Sequence, residues 1–597
     1  MTSDIQPPLH WLELQEPGRY IWQNLQDQCS NREQGVYYRR MGVVENLFDN
    51  DGTVTCGRAD LHQNYRMEVK TTLPDDQLRE RLVLAWTLMR HSHVLLSCQS
   101  RNLHDLVPSH ESARWTDQCF VYRWPSSTVD AIEETRFQMR FVADEYPDVN
   151  PQEFFHHIMN TARAIDSHQA LSKLYIMPFQ RTDQGTILLH FIPVLAHQIT
   201  DGLTTFRWTN HFSQILNFDE PQLLTALNAL FTNESSLLQR LPPAQEALYP
   251  LRSHNPARER WHWLLTRILR HVRNPPPAAF QNPLRRPQAL SKATTFPPTY
   301  AKILDYTITP PLNAGHISAD LTGRSAQNMR TLCRNAGISI GSGCFTLVAI
   351  VMMTLHERHH PDIPLSARLP FVGSFPVNPR PFFSGEPTTG KENSCMLAFS
   401  DGVTLPFLPS NLSFQTRFKL LGKLAHRQLR QYQKRKRTLS EEIHLGSRSP
   451  SQLIPSLFCS TTERMESRAL ESQKTHLNIQ GSYPARTSPT ASTCGISSVG
   501  DQTAVLAELH VDLDQSLTGN RDMLADFRGL ASTVRPRDGE FLVGAIGNKD
   551  RFGFGVAFDA NAIDGNRARE WKGLMEGLLD IDFGFDLEGK GEGRARL

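Results

Sequence analysis

The chain has 597 residues, 39% of them hydrophobic and 21% charged, with a formal net charge of +2. That length holds roughly two to four domains with a sizeable core, and the composition excludes wholesale disorder. The near-neutral balance offers no electrostatic footprint for nucleic acid or an anionic membrane.

The nine cysteines are scattered and form no CxxC pair. This argues for free thiols in a reducing compartment rather than a zinc site or disulfide framework. Met1 to Pro8 lacks the basic-then-apolar layout of a signal peptide. The longest apolar run, Cys344 to Leu355, is too short for a bilayer and reads as a buried helix. The expectation is a soluble cytoplasmic protein, working as a monomer.

Residues 1–60 carry aromatics without clean periodicity and read as an N-terminal segment packing on the first domain. A first domain follows over 61–241. Tyr65 to Lys70 alternates like a strand, and Leu73-Pro74-Asp75-Asp76 opens a helix whose apolar face is Leu78, Leu82, Ala85 and Met89. Val94 to Leu96 and Cys119 to Trp124 read as strands, and Phe154 to Leu171 as a helix. Leu174 to Phe179 and Thr186 to Val194 read as an antiparallel pair. That pair delivers Leu195-Ala196-His197-Gln198-Ile199-Thr200-Asp201-Gly202, with a helix over Thr204 to Leu216 behind it. A histidine just past a strand end, an aspartate four residues on and a glycine at a turn suit a base held by local geometry; a surface turn is the other reading.

Residues 242–311 are punctuated by Pro242-Pro243, Pro275-Pro276-Pro277, Pro297-Pro298 and Pro310-Pro311 and read as a crossing linker with one helix, Arg258 to Val272. A second domain spans 312–580. Its expected elements are a strand over Gly315 to Leu321, a helix from Ser325 to Ala336 capped by Gly337, and the buried helix Phe345 to Glu357. A strand over Leu369 to Val377, a helix over Phe414 to Lys436 and a strand over Val505 to Leu513 follow. A hairpin at Gly547 to Asp550 and a helix over Ala568 to Leu579 close the domain. Both halves run strand, amphipathic helix, strand, which implies two related α/β domains with mixed sheets. Residues 581–597 are a tail ending Ala595-Arg596-Leu597, which is similar to a variant of the Ser-Lys-Leu peroxisomal address; a frayed polar tail is the alternative.

His197 to Gly202 forms HxxxDG, which resembles the active-site motif of the CoA-dependent acyltransferase superfamily. That group includes chloramphenicol acetyltransferase, plant acyltransferases of the BAHD type and condensation domains of peptide synthetases. Arg90 to Leu96 resembles the helix-to-strand segment before the motif in condensation domains. Val372 to Arg380 is similar to the segment that crosses the active site from the second domain. Ala491 to Gly500, with the long N-terminal segment, looks most like fungal acyltransferases of the trichothecene 15-O-acetyltransferase type.

The resemblance implies two chloramphenicol-acetyltransferase-like domains with the active site in a tunnel between them. It implies acyl-CoA as co-substrate, with no bound cofactor or metal. The acceptor would be a hydroxyl of a small secondary metabolite. By the same resemblance His197 is the general base, Asp201 points away from the imidazole and pairs with an arginine, and Arg380 is that arginine by position; a surface cation is the other reading of Arg380. Gly202 would permit the tight turn or close substrate approach. Ser492, Thr493, Ser497 and Ser498 are the candidate oxyanion donors.

Ala196 stands where condensation domains carry a second histidine, and no carrier domain is attached, so a diffusible thioester fits better than a carrier-bound one. The Asp-Phe-Gly-Trp-Gly motif of BAHD enzymes is missing at its place, and Asp582-Phe583-Gly584-Phe585-Asp586 lies beyond the last helix. A condensation-type N-acyltransferase and a non-catalytic acyl-CoA-binding homologue remain the alternatives. Cys494 has no nucleophile signature around it, and His156-His157 and His359-His360 lack metal-ligand spacing. Lys434 to Arg437 reads as the solvated end of a helix, with contact to CoA phosphates or a nuclear signal as other readings.

Overall fold

A computed structural model describes residues 10–27, 35–107, 113–232, 234–249, 255–383, 393–432, 450–486, 492–501, 506, 510–515, 517, 521–548 and 550–581. Met1 to Pro8, Cys29, Lys434 to Arg437, Ala491, Asp582 to Asp586 and the C-terminal tripeptide fall outside these residues.

Two mixed sheets build the molecule. The first runs, in order across the sheet, Met523–Val534, Leu61–Thr71, Ile187–Leu195, Ser172–Ile176 and Met139–Phe141. Its pairs are antiparallel except the last, which is parallel. The second runs Ala314–Thr322, Arg551–Asp559, Phe541–Gly547, Cys494–Asp501, Phe371–Ser374 and Val403–Leu405, with Cys494–Asp501 parallel to both neighbours. Each sheet has its own core. Tyr65, Leu82, Trp86, Phe191 and Phe212 fill the first. The second centres on the apolar helix Ile340–His359, with Phe371, Phe418, Val543, Phe554 and Trp571. This helix is long and apolar enough to cross a membrane, but here it is the core helix of the second sheet, buried from Leu347 to Met353.

The antiparallel pair that delivers the motif is present, as are the Gly547-Asn548 hairpin between Phe541–Gly547 and Arg551–Asp559 and the Gly337 cap, whose φ of 66° needs a residue tolerant of the left-handed region. Several local expectations are corrected. Val94–Ser97 is a 3-10 turn, and the strand starts only at Gln99. The 154–171 helix is the shorter Pro151–Ile158, because the chain turns after Met159. Leu369 to Val377 divides into Phe371–Ser374 and Pro376–Val377, which belong to different sheets. Phe414–Leu429 is shorter than the helix expected to Lys436. Within Val505 to Leu513 the described residues form no strand; the strand is Met523–Val534, and it pairs with Leu61–Thr71 of the first half.

The described residues between 10 and 60 are structured rather than featureless. Val36–Arg40 joins a separate four-stranded antiparallel sheet. The helix Val43–Val54 is capped by Gly42 and Glu45, and Glu45 is locked to Arg39 at 2.8 Å in a buried pair. The 242–311 segment also does more than connect. Its helix Pro256–Val272 packs Trp263 against Trp11 and Phe458, the latter on the helix Pro450–Arg468.

Candidate active site

The strand Ile187–Leu195 is buried almost throughout and ends at Ala196. His197 opens one 3-10 turn, His197–Ile199, and the helix Gly202–Leu216 follows at once. Asp201 is the helix cap: its Oδ1 accepts from the amides of Leu203 at 3.0 Å and Thr204 at 3.1 Å. Gly202 is the first helical residue, outside the left-handed region, and a Cβ there would meet nothing within 4 Å. The turn therefore does not require glycine; what glycine leaves is open space beside the motif.

Asp201 Oδ2 faces the second half of the chain. Arg380 Nη2 donates to it at 2.7 Å, and the amide of Met396 donates at 2.8 Å. The same guanidinium nitrogen donates to Thr204 Oγ1 and to the Ser394 carbonyl, each at 2.8 Å. Asp201 is 1% exposed and Arg380 6%, so the pair sits in the low-dielectric seam where a lost partner is most costly. Both carboxylate oxygens are occupied, and neither meets the imidazole.

His197 is held by groups that the motif does not contain. The Phe48 ring, from Val43–Val54, stacks on it with centroids 3.8 Å apart and planes 3° from parallel. Next to it Asp49 Oδ1 accepts from Gln198 Nε2 at 2.6 Å and Ser100 Oγ at 2.9 Å, tying the turn to that helix. Burial raises the Asp49 carboxyl, against the lowering effect of those bonds. His197 Nδ1 is buried without a hydrogen-bond partner. Burial lowers the imidazole pKa to about 4, and the Arg537 charge adds to this; backbone groups of His197 and Thr200 and the Asp201 carboxylate pull weakly the other way. The ring is neutral across the physiological range.

No described contact joins the four candidate donors to His197. Thr493 is a sheet residue: its hydroxyl donates to the Phe280 carbonyl at 3.0 Å and its amide to the Val372 carbonyl at 2.8 Å. Ser492 Oγ lies 3.1 Å from Ser374 Oγ. In the strand Cys494–Asp501, Cys494 and Ile496 point into the second core. Alternation sends Ser498 the same way, 3.5 Å from the site of a Cβ on Gly341. Ser497 takes the opposite face, in register with Gly544; Ile546, two residues on, packs against the first core. Of the two candidates within the strand, Ser497 is thus the one turned toward the first half. Among the described residues no cluster of three or more His, Cys, Asp or Glu could hold a metal ion.

Phe48, Asp49, Arg537 and the Ser394–Phe399 segment escaped the sequence reading. The one usable signal was the apolar set Val43, Val44, Leu47 and Phe48 behind the Gly42 and Glu45 cap, a helix-period pattern.

Two mixed α/β sheets, each with its own core, meet at this site. No protein-family model matches the chain, and no curated protein sequence matches it. Among solved structures, the TRI3 trichothecene 15-O-acetyltransferase from Fusarium sporotrichioides aligns with a TM-score of 0.59 over 96% of this chain and 98% of that one, at 10% identity. The condensation domain of the monacolin K polyketide synthase MokA aligns at 0.45 over 91% and 97%, at 10% identity. The epimerization domain from the third module of tyrocidine synthetase B aligns at 0.48 over 92% and 99%, at 12% identity. The chain shares its fold with the acetyltransferase over nearly its whole length.

Proposed function

We propose that the protein is an acyltransferase that moves an acyl group from acyl-CoA to a hydroxyl of a small molecule, with His197 as general base. The observation that carries this is the geometry around His197: its imidazole is stacked on Phe48 and free of the Asp201 carboxylate, which Arg380 and the Met396 amide occupy instead. Asp201 is a loop anchor in this reading and Arg380 its partner.

The chemistry then needs little else. Nδ1 is enclosed, so Nε2 is the nitrogen that meets the acceptor. The acceptor O–H gives its proton to Nε2 while its oxygen attacks the thioester carbonyl. The tetrahedral oxyanion collapses, the C–S bond breaks, and the thiolate takes the proton back from the imidazolium. Ser497, on the face toward the first half, is read as the oxyanion donor. The acyl donor is read as CoA-bound because Ala196 replaces the second histidine of condensation domains.

The test is turnover of acyl-CoAs with a panel of hydroxylated acceptors by wild type and His197→Ala. Activity of wild type with loss of about 100-fold or more in the variant is expected. Activity that survives the substitution overturns the mechanism, and tight acyl-CoA binding without turnover on any acceptor overturns the enzyme assignment.

A further inference from the structure

A basic cluster lies near the site. Arg464 and Arg468 lie one turn apart on the helix Pro450–Arg468, and Arg537 follows the strand Met523–Val534. Asp51, buried in Val43–Val54, is the carboxylate between them. Its Oδ2 accepts from Arg537 Nε at 2.9 Å and Nη2 at 2.6 Å, and its Oδ1 accepts from Arg468 Nη1 at 3.1 Å. Glu540 adds negative charge near Arg537 and accepts that residue's amide at 2.9 Å. Arg464 has no carboxylate within ion-pair distance among the described residues; its guanidinium carbon lies 5.7 Å from the centroid of the Phe399 ring.

Asp51 is thus used up by two of three crowded guanidinium groups. Arg468 and Arg537 place two further positive charges beside Arg464. Like charges held together in partly desolvated surroundings are costly unless an anion joins them. A guanidinium fork matches the oxygens of a carboxylate or phosphate. Arg464 is exposed and the Arg468 side chain is 38% exposed, so both can be reached from solvent. The cluster is also close to the site. Phe399 lies 6.5 Å from Phe48, which stacks on His197, and Arg537 stands 5.5 Å from Phe48 on its own account.

We propose that Arg464 and Arg468, backed by Arg537, bind an oxyanion group, phosphate or carboxylate, carried by one of the substrates. This rests on the acyl-transfer reading for which substrate it is, but not for the binding itself. Calorimetric titration of wild type, Arg464→Ala and Arg464→Lys with CoA, pantetheine, pyrophosphate and citrate tests it, with thermal melts to show that each variant is folded. Arg464→Ala is expected to weaken at least one anionic probe about 10-fold or more, Arg464→Lys to restore part of it, and pantetheine to be unaffected. Loss confined to CoA and pyrophosphate assigns the site to the donor's phosphates. Loss confined to citrate assigns it to a carboxylate on the acceptor. Equal binding of all three anionic probes by wild type and Arg464→Ala, or none by wild type, overturns the proposal. The titration needs no turnover, so it can fail or succeed independently of His197→Ala.

Discussion

The Phe48 ring covers one face of the His197 imidazole, parallel to it and in van der Waals contact. The HxxxDG motif at one strand end is therefore shaped by a helix more than 140 residues earlier in the chain. Removing the ring lets water reach the imidazole, and its pKa rises from about 4 toward the ordinary value of about 6.5. A base must be unprotonated, so the acid limb of kcat/KM moves to higher pH in Phe48→Ala. Phe48→Leu, which keeps the apolar cover, moves it less. A limb unchanged in both variants means that stacking does not set the pKa.

Arg380→Ala leaves Asp201 charged, buried and short of a partner, and removes the link to Thr204 and Ser394 as well. Breaking a buried pair of this kind costs about 3–5 kcal/mol. Arg380→Lys keeps the charge but loses the fork and should fall between. Urea denaturation of the three proteins measures this, and a loss below about 1 kcal/mol in Arg380→Ala contradicts the buried geometry.

Ser497 and Ser498 are adjacent, yet the pleat sends them to opposite faces. Ser497→Ala is expected to cut kcat by about 100-fold if its hydroxyl meets the oxyanion, while Ser498→Ala changes it by less than about 2-fold. The reverse order of effects in steady-state kinetics shows that the strand does not present Ser497 to substrate.

Two buried groups set opposite pH trends in stability. His62 is 1% exposed, and burial with the Arg535 charge lowers its pKa to about 3. The unfolded chain protonates His62 below about 6.5, so stability falls as pH drops from there toward 3, by up to about 1.4 kcal/mol per unit. Glu246 is raised to about 7 by burial and by Glu45. Its folded form keeps a proton that the unfolded chain loses above about 4.3, so stability falls as pH rises from there to 7. Glu246→Gln retains an acceptor for the Val43 amide and should flatten the alkaline side of a stability–pH curve. An unaltered slope in that variant shows that Glu246 is not the group responsible.

Much of this could be read from residue patterns because the governing forces were local. Alternation over Tyr65 to Lys70 marks part of the strand Leu61–Thr71, a continuous apolar run over Thr186 to Val194 marks Ile187–Leu195, helix periodicity marks Asp75–Ser92, and Gly337 marks its own cap. The Asp201 and Arg380 side chains were both named from the resemblance, 179 residues apart in sequence, and they lie together at 2.7 Å. What stayed hidden depends on long-range packing. Phe48 looks like any core aromatic until the fold sets it on His197. Met523–Val534 has small and polar residues in its outer half, since only part of it faces a core, so its alternation is weak. The stretch from Met159 to Ala170 reads as helix because buried residues such as Met159, Ala162 and Ile165 recur at helical spacing, in a chain that is buried but not helical there.

Met523–Val534 runs alongside Leu61–Thr71 from Met523 opposite Thr71 to Val534 opposite Leu61. The two halves are therefore stitched by a backbone ladder as well as by side chains at Asp201 and Arg380. This strand belongs to the first sheet although the chain reaches it only after most of the second sheet is laid down, so cutting the chain before residue 523 would strip Leu61–Thr71 of that neighbour and leave a bare edge on the first sheet.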